Sequence, residues 1–263
     1  MKKFITGSAL LLTLSGCGLH SYSPTLTHYP QPKDKGRISV TTALGEGGVN
    51  VSAAGGISNS VGVSALMHTN IYTGRSDASE RRRIAEAAFY GMGEIQEESN
   101  FYAGLVFGGG VGDYKAFNRR LYFHDDIFVC SKSNYNFYYA SPYLLKASAN
   151  GIFNIVFAFK FTYLNYSKYY LEYADQNYKN QDLNVVIKGE DAHKNPSKII
   201  WEPSLRWSFG KNYFRFFNQI SVPWTIDNRV EFSNQKLRDI EDFPVPSIQF
   251  GLILSLPLSK QQD

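Results

Sequence analysis

His124-Asp125-Asp126, inside "FHDDIF", is the one place in this chain where a histidine stands beside a carboxylate. An imidazole next to a carboxylate can activate water for attack on a carbonyl, provided that another group orients the pair beside a substrate pocket. Adjacent aspartates splay their carboxylates unless the backbone turns between them. No second acidic or histidine-bearing strand end accompanies this cluster, and His193 in "GEDAHKNP" stands in a separate loop. The ligand spacing of a calcium loop is absent. The runs Gly45-Glu46-Gly47-Gly48 and Gly108-Gly109-Gly110 do not follow a buried strand and open a helix, so they give no phosphate loop. Cys130, a single thiol beside aromatic and lysine residues, reads as inert. The expectation is no catalytic residue, no metal and no cofactor.

A second set of polar residues is more informative because of where it stands. "GIFNIVFAFKFTYLN", Gly151 to Asn165, is almost continuously apolar yet holds Lys160. Side chains on a strand alternate between two faces. Phe153, Ile155, Phe157, Phe159, Phe161 and Tyr163 then share one face, and Asn154, Val156, Ala158, Lys160 and Thr162 the other. A helix would scatter the phenylalanines around its circumference. The same division recurs in "IIWEPSLRWSFG", where Ile199, Trp201, Pro203, Leu205, Trp207 and Phe209 oppose Glu202, Ser204, Arg206 and Ser208. In "YFRFFNQISVPW" it sets Phe214, Phe216, Ile220, Val222 and Trp224 against Arg215, Gln219 and Ser221.

A water-soluble barrel would turn the large apolar face inward and clothe its outside with well-hydrated charge. Here the outside would be glycine, serine, threonine and alanine with scattered charge. A membrane barrel inverts the faces, so that large side chains meet lipid and small or charged ones fill a narrow lumen. Glu86, Lys146, Lys160, Glu202, Arg206 and Arg215 are expected to point into that lumen as a paired, hydrated polar network. Gly104, Gly108, Gly110 and Gly112 share one face of another segment, as do Gly62 and Ser64.

Ten segments read as strands: 36–44, 49–57, 60–72, 83–94, 101–113, 134–147, 152–165, 198–209, 213–226 and 245–258. Twelve would result if 121–130 or 184–189 also paired within the sheet. Short and long connections alternate along the chain, which places all the long ones at one end of an up-and-down barrel. Short periplasmic turns, longer outer loops and an even strand number are the habit of outer-membrane barrels. The fold class is therefore all-β, an up-and-down antiparallel transmembrane β-barrel of residues 36–263. The tyrosine-rich stretch 166–197 reads as a surface for other envelope proteins or as strands extended beyond the membrane. Tyr and Phe number 18 and 19, as expected where strands meet a bilayer.

The N-terminus gives the compartment. Met1-Lys2-Lys3 and the apolar run Phe4–Leu14 have the form of an export signal, too short to span a bilayer as a helix. It ends in Leu14-Ser15-Gly16-Cys17, which resembles the lipobox of bacterial lipoproteins. That resemblance implies a signal peptide of residues 1–16, cleavage after Gly16, and lipidation of Cys17 by a diacylglyceryl thioether and an N-acyl chain, enough to anchor stably. Cys130 would then be without a disulfide partner. Loss of Lys2 and Lys3 lowers the formal charge from +4 to +2, which excludes nucleic acid as a natural partner. Residues 17–35, rich in proline and without periodicity, read as an extended tether between lipid and barrel.

"KGRISVTTALGEGGVNVSAAGGISNSVGVSALMH" and the terminal "SIQFGLILSLPL" resemble a group of uncharacterised outer-membrane β-barrel lipoproteins of diderm bacteria, a likeness that transfers no activity. The loop position of His124 is similar to that of the Asp and His residues in omptin-type barrel proteases, and the match ends there. Three roles stay open: a lipid-anchored outer-membrane barrel with a structural, surface-interaction or limited permeation role; a soluble lipocalin-like barrel binding an apolar ligand; and a barrel-mouth hydrolase.

Overall fold

The computed structural model of the chain describes residues 26–29, 36–45, 48–73, 78–96, 99–118, 129–176, 185–192, 196–211, 213–231 and 246–257. Its strands are β1 (Arg37–Gly45), β2 (Gly48–Gly56), β3 (Val61–Thr73), β4 (Ala78–Glu94), β5 (Phe101–Asn118), β6 (Val129–Ala147), β7 (Phe153–Gln176), β8 (Val185–Asp191), β9 (Ser197–Lys211), β10 (Phe214–Ser221), β11 (Trp224–Asn228) and β12 (Ser247–Pro257). Every pairing among them is antiparallel.

The sheet closes. Neighbours run β1 to β7 in chain order, then β9, β10 and β12, and β12 pairs back onto β1 from Arg37↔Pro257 to Gly45↔Gln249. That ring has ten staves, the expected number. Segment 185–191 does pair, against the far half of β7, but it continues the line of β9 and adds no stave. β11 likewise continues β10 past Val222-Pro223 and pairs with β9. Proline has no N–H to give a ladder, which explains why the β10–β11 stave is interrupted there.

The large apolar side chains face outward. On β7, Phe153, Ile155, Phe157, Phe161 and Tyr163 are all 40–45% exposed, while the intervening Asn154, Val156, Ala158, Lys160 and Thr162 are at most 2% exposed. From Phe153 to Tyr163 the outward row spans eleven residues, which at the usual tilt covers about 25 Å, the height of a bilayer's apolar band. Outward aromatics cluster near both ends of it: Phe209, Phe214 and Phe216 by the short turns, and Trp201 and Trp224 toward the other rim, with ring centroids 5.4 Å apart. This is a transmembrane β-barrel.

Several strands run on beyond the band. β4 starts at Ala78, β6 at Val129, and β7 continues to Gln176 as a hairpin with β8, so the tyrosine-rich stretch is in part extended strand. A bulge at Ser167, whose hydroxyl donates to the Asn134 carbonyl at 3.2 Å, resets the alternation. Tyr166 and Tyr169 both turn inward as a result.

Candidate functional site: an occupied lumen

The lumen has two unlike walls. One is formed by β7, β9 and β10. Lys160, Glu202, Arg206, Arg215 and Gln219 alternate inward on these strands and are buried. Lys160 stands opposite Glu202 in the β7–β9 register, and its Nζ lies 4.0 Å from Glu86 Oε2, across the barrel on β4. Nζ also sits 4.1 Å above the Tyr139 ring, and the Tyr139 hydroxyl donates to Glu86 Oε1. An ammonium buried among apolar strands is thus held by a carboxylate and an aromatic face, both of which favour the charge. Arg206 donates from Nε and Nη2 to Gln219 Oε1 at 2.9 and 2.6 Å, and Gln219 passes a bond to Ser221 Oγ at 3.1 Å. Arg215 is nearer the short turns, where Nη2 donates to the Gly151 carbonyl at 2.8 Å.

Lys146 corrects the expectation. It lies exposed on the outward face, in register with Phe101 and Ile155, and its Nζ donates to the Ser99 carbonyl at 2.6 Å. The physical reason is the phase of β6: Tyr143, Leu145 and Ala147 turn inward, so Lys146 between them turns outward, and the Ser99 carbonyl at the short-turn rim takes its ammonium.

The adjoining wall, β5 and β6, is aromatic, a feature the reading by alternation missed. Tyr135, Phe137, Tyr139 and Tyr143 of β6 all turn inward, each in register with a glycine of β5: Gly112, Gly110, Gly108 and Gly104 respectively. The rings lie flat over β5 because those positions have no side chain. A Cβ on Gly110 would stand 2.8 Å from the Phe137 ring, and one on Gly108 2.6 Å from Tyr139 Cε1, both closer than packed atoms tolerate. The glycine row was visible in the sequence, and its ring partners were the available signal.

Between the walls sits part of the chain itself. Leu26, Thr27, His28 and Tyr29, within the stretch read as a tether, are 1–7% exposed and fill the lumen. Arg206 Nη2 donates to the Thr27 carbonyl at 2.6 Å, and its guanidinium lies 4.8 Å from the ring centroids of both Tyr29 and Phe217. Tyr29 spans the two walls: its hydroxyl is 3.3 Å from Ser204 Oγ, and its ring packs 5.3 Å from Tyr143. His28 packs against Tyr90 at 5.4 Å, and Leu26 joins Ala43, Leu66, Phe217 and Ile253. One signal of this was available, the run Leu26 to Tyr29 with apolar ends inside a polar, proline-rich stretch.

Chemically, this lumen can hold an extended peptide by one carbonyl and two apolar anchors. Among the described residues no group of three His, Cys, Asp or Glu side chains lies close enough to hold a metal ion. Cys17, His124, Asp125, Asp126 and His193 lie outside the described residues.

No protein-family model matches the chain, and no curated protein matches it in sequence. Among solved structures it is similar to the translocator domain of autotransporter NalP from Neisseria meningitidis, at 10% identity and a TM-score of 0.40, covering 83% of this chain and 86% of that one. It is also similar to Acinetobacter baumannii CarO2 (8% identity, TM-score 0.29, 84% and 98% covered) and CarO (10%, 0.27, 82% and 96%). The fold itself is defined by the strand register and the two faces described above.

Proposed function

We propose that this chain is a lipid-anchored, non-catalytic outer-membrane barrel whose limited permeation is set by its own N-terminal segment. The observation that carries the reading is the burial of Leu26–Tyr29 between the Arg206 wall and the Tyr143 wall. Ten staves enclose a narrow space, the inward rings of β6 line one side of it, and Leu26–Tyr29 pack between them and the Arg206 wall. Anchoring rests on the lipobox reading of Cys17. Eight residues separate Cys17 from Leu26, and the nine steps between them reach at most about 30 Å, so a lipid at either membrane face is compatible with the seated segment.

The outward phenylalanines weigh against a soluble lipocalin-like barrel, since an apolar exterior of this extent is expelled by water. A barrel-mouth hydrolase would rest on His124 alone.

The test is conductance in planar bilayers. The full-length protein is expected to pass little current, and the double variant Leu26→Ala/Tyr29→Ala to open frequently. A form lacking residues 20–35 with Cys17 retained is expected to stay open, with a mean conductance about tenfold higher, as when the open fraction rises from roughly a tenth to nearly one. Equal conductance of all three, whether low or high, contradicts the reading. Heat-modifiable gel migration verifies that each form is folded.

A further inference from the structure

The outward face of β4–β7 changes character above the apolar band, on the long-loop side. Arg81, Lys115 and Lys132 stand directly opposite one another in the β4–β5–β6 register, all outward, so three cations occupy one row. The next row down holds Arg83, Asp113, Asn134 and Lys168. Like charges directly opposite on neighbouring strands repel. The nearby acids answer only part of this. Asp113 pairs with Arg81 at 3.5 Å, Glu172 is engaged by the Tyr170 hydroxyl at 2.8 Å, and Asp191 lies beyond Tyr170 on β8. Among the described residues Arg83, Lys115 and Lys168 take part in no ion pair.

Immediately below these rows the surface is hollow. A groove of about 800 Å³ runs over β2–β5, floored by Val49, Val51, Met67, Ala85 and Val111, with Arg83 at its upper edge. Met67 and Val111 are among the more exposed apolar side chains on the barrel. A concentration of positive charge joined to an apolar trough, at the height where headgroups meet acyl chains, is complementary to one kind of molecule.

We propose that this face binds a phosphorylated lipid of the outer leaflet, its phosphates on Arg83, Lys115 and Lys132 and an acyl chain along the groove. The anion would relieve the cation row, and guanidinium and ammonium donors suit phosphate oxygens. The site rests on the transmembrane reading, with the long loops outside, and is independent of the lumen: a barrel that conducts as expected and ignores lipid phosphate fails here alone.

The experiment is native mass spectrometry of the full-length protein in detergent, titrated with bis-phosphorylated lipid A and separately with the same lipid stripped of phosphate. The phosphorylated form is expected to bind about tenfold tighter or more. In Arg83→Gln/Lys115→Gln/Lys132→Gln that advantage falls to about threefold or less, whereas Lys146→Gln/Lys211→Gln, exposed cations at the other rim, preserves it. Equal binding of the two lipids, or an undiminished preference in the triple variant, overturns the proposal. So does an equal loss in the opposite-rim variant, which marks unspecific attraction, or displacement by millimolar inorganic phosphate, which marks a free-anion site.

Discussion

The two walls of the lumen reach the same end, a filled interior, by opposite means. The β7–β9–β10 wall uses long charged and amide side chains that find partners across the lumen, as Lys160 does in Glu86, or on the next strand, as Arg206 does in Gln219. The β5–β6 wall uses the smallest residue opposite the largest, glycine under a flat ring. The first depends on every charge keeping a partner in a low-dielectric space. The second depends on shape alone and leaves little room for substitution. Tyr29 touches both, with its hydroxyl toward Ser204 and its ring toward Tyr143, so the seated segment needs the two walls together.

The difference predicts how each wall breaks. Lys160→Met leaves Glu86 buried without its ammonium and is expected to cost about 3 kcal/mol, read as a lower urea midpoint in lipid vesicles. Adding Glu86→Gln, which removes the orphaned charge and keeps a group for the Tyr139 hydroxyl, should recover most of it. If the single and double variants are equally unstable, the charged wall is not held by this pair. On the aromatic wall Gly108→Val drives a side chain into Tyr139, and the overpacking is expected to cost roughly 1–3 kcal/mol. Gly91→Ala, where a Cβ would stand 3.6 Å from the Ser60 carbonyl, should change stability by about 0.5 kcal/mol or less. Equal effects at Gly108 and Gly91 would mean that the rings do not depend on the glycine row.

The same contrast explains what could be read from the sequence. On β7 and β9 the period-two pattern is unambiguous, because phenylalanine and tryptophan never share a face with Lys160 or Arg206, and the ten staves follow from such segments. On β6 it is not: Tyr138 points out while Tyr135, Phe137, Tyr139 and Tyr143 point in, so ring chemistry alone cannot name the face. The inward expectation for Lys146 fails for the same reason, because it shares the phase of Tyr138 and Leu144, which face out. The bulge at Ser167 reverses the phase of everything beyond it without a proline or glycine to announce it. Leu26–Tyr29 was beyond periodicity altogether, because four residues held by a carbonyl and two anchors carry no repeat.

The claim underlying both walls is that the barrel wears its apolar face outside. The chain has three tryptophans, Trp201, Trp207 and Trp224, and all three stand on the outward face of β9 and β11. Intrinsic fluorescence of the protein in vesicles therefore reports on that face without any substitution. Lipids brominated along their acyl chains are predicted to extinguish most of the emission while aqueous iodide leaves it largely intact. Strong quenching by iodide with none from bromolipid would place the tryptophans in water, and no quenching by either would place them in a protein core; both results contradict the account.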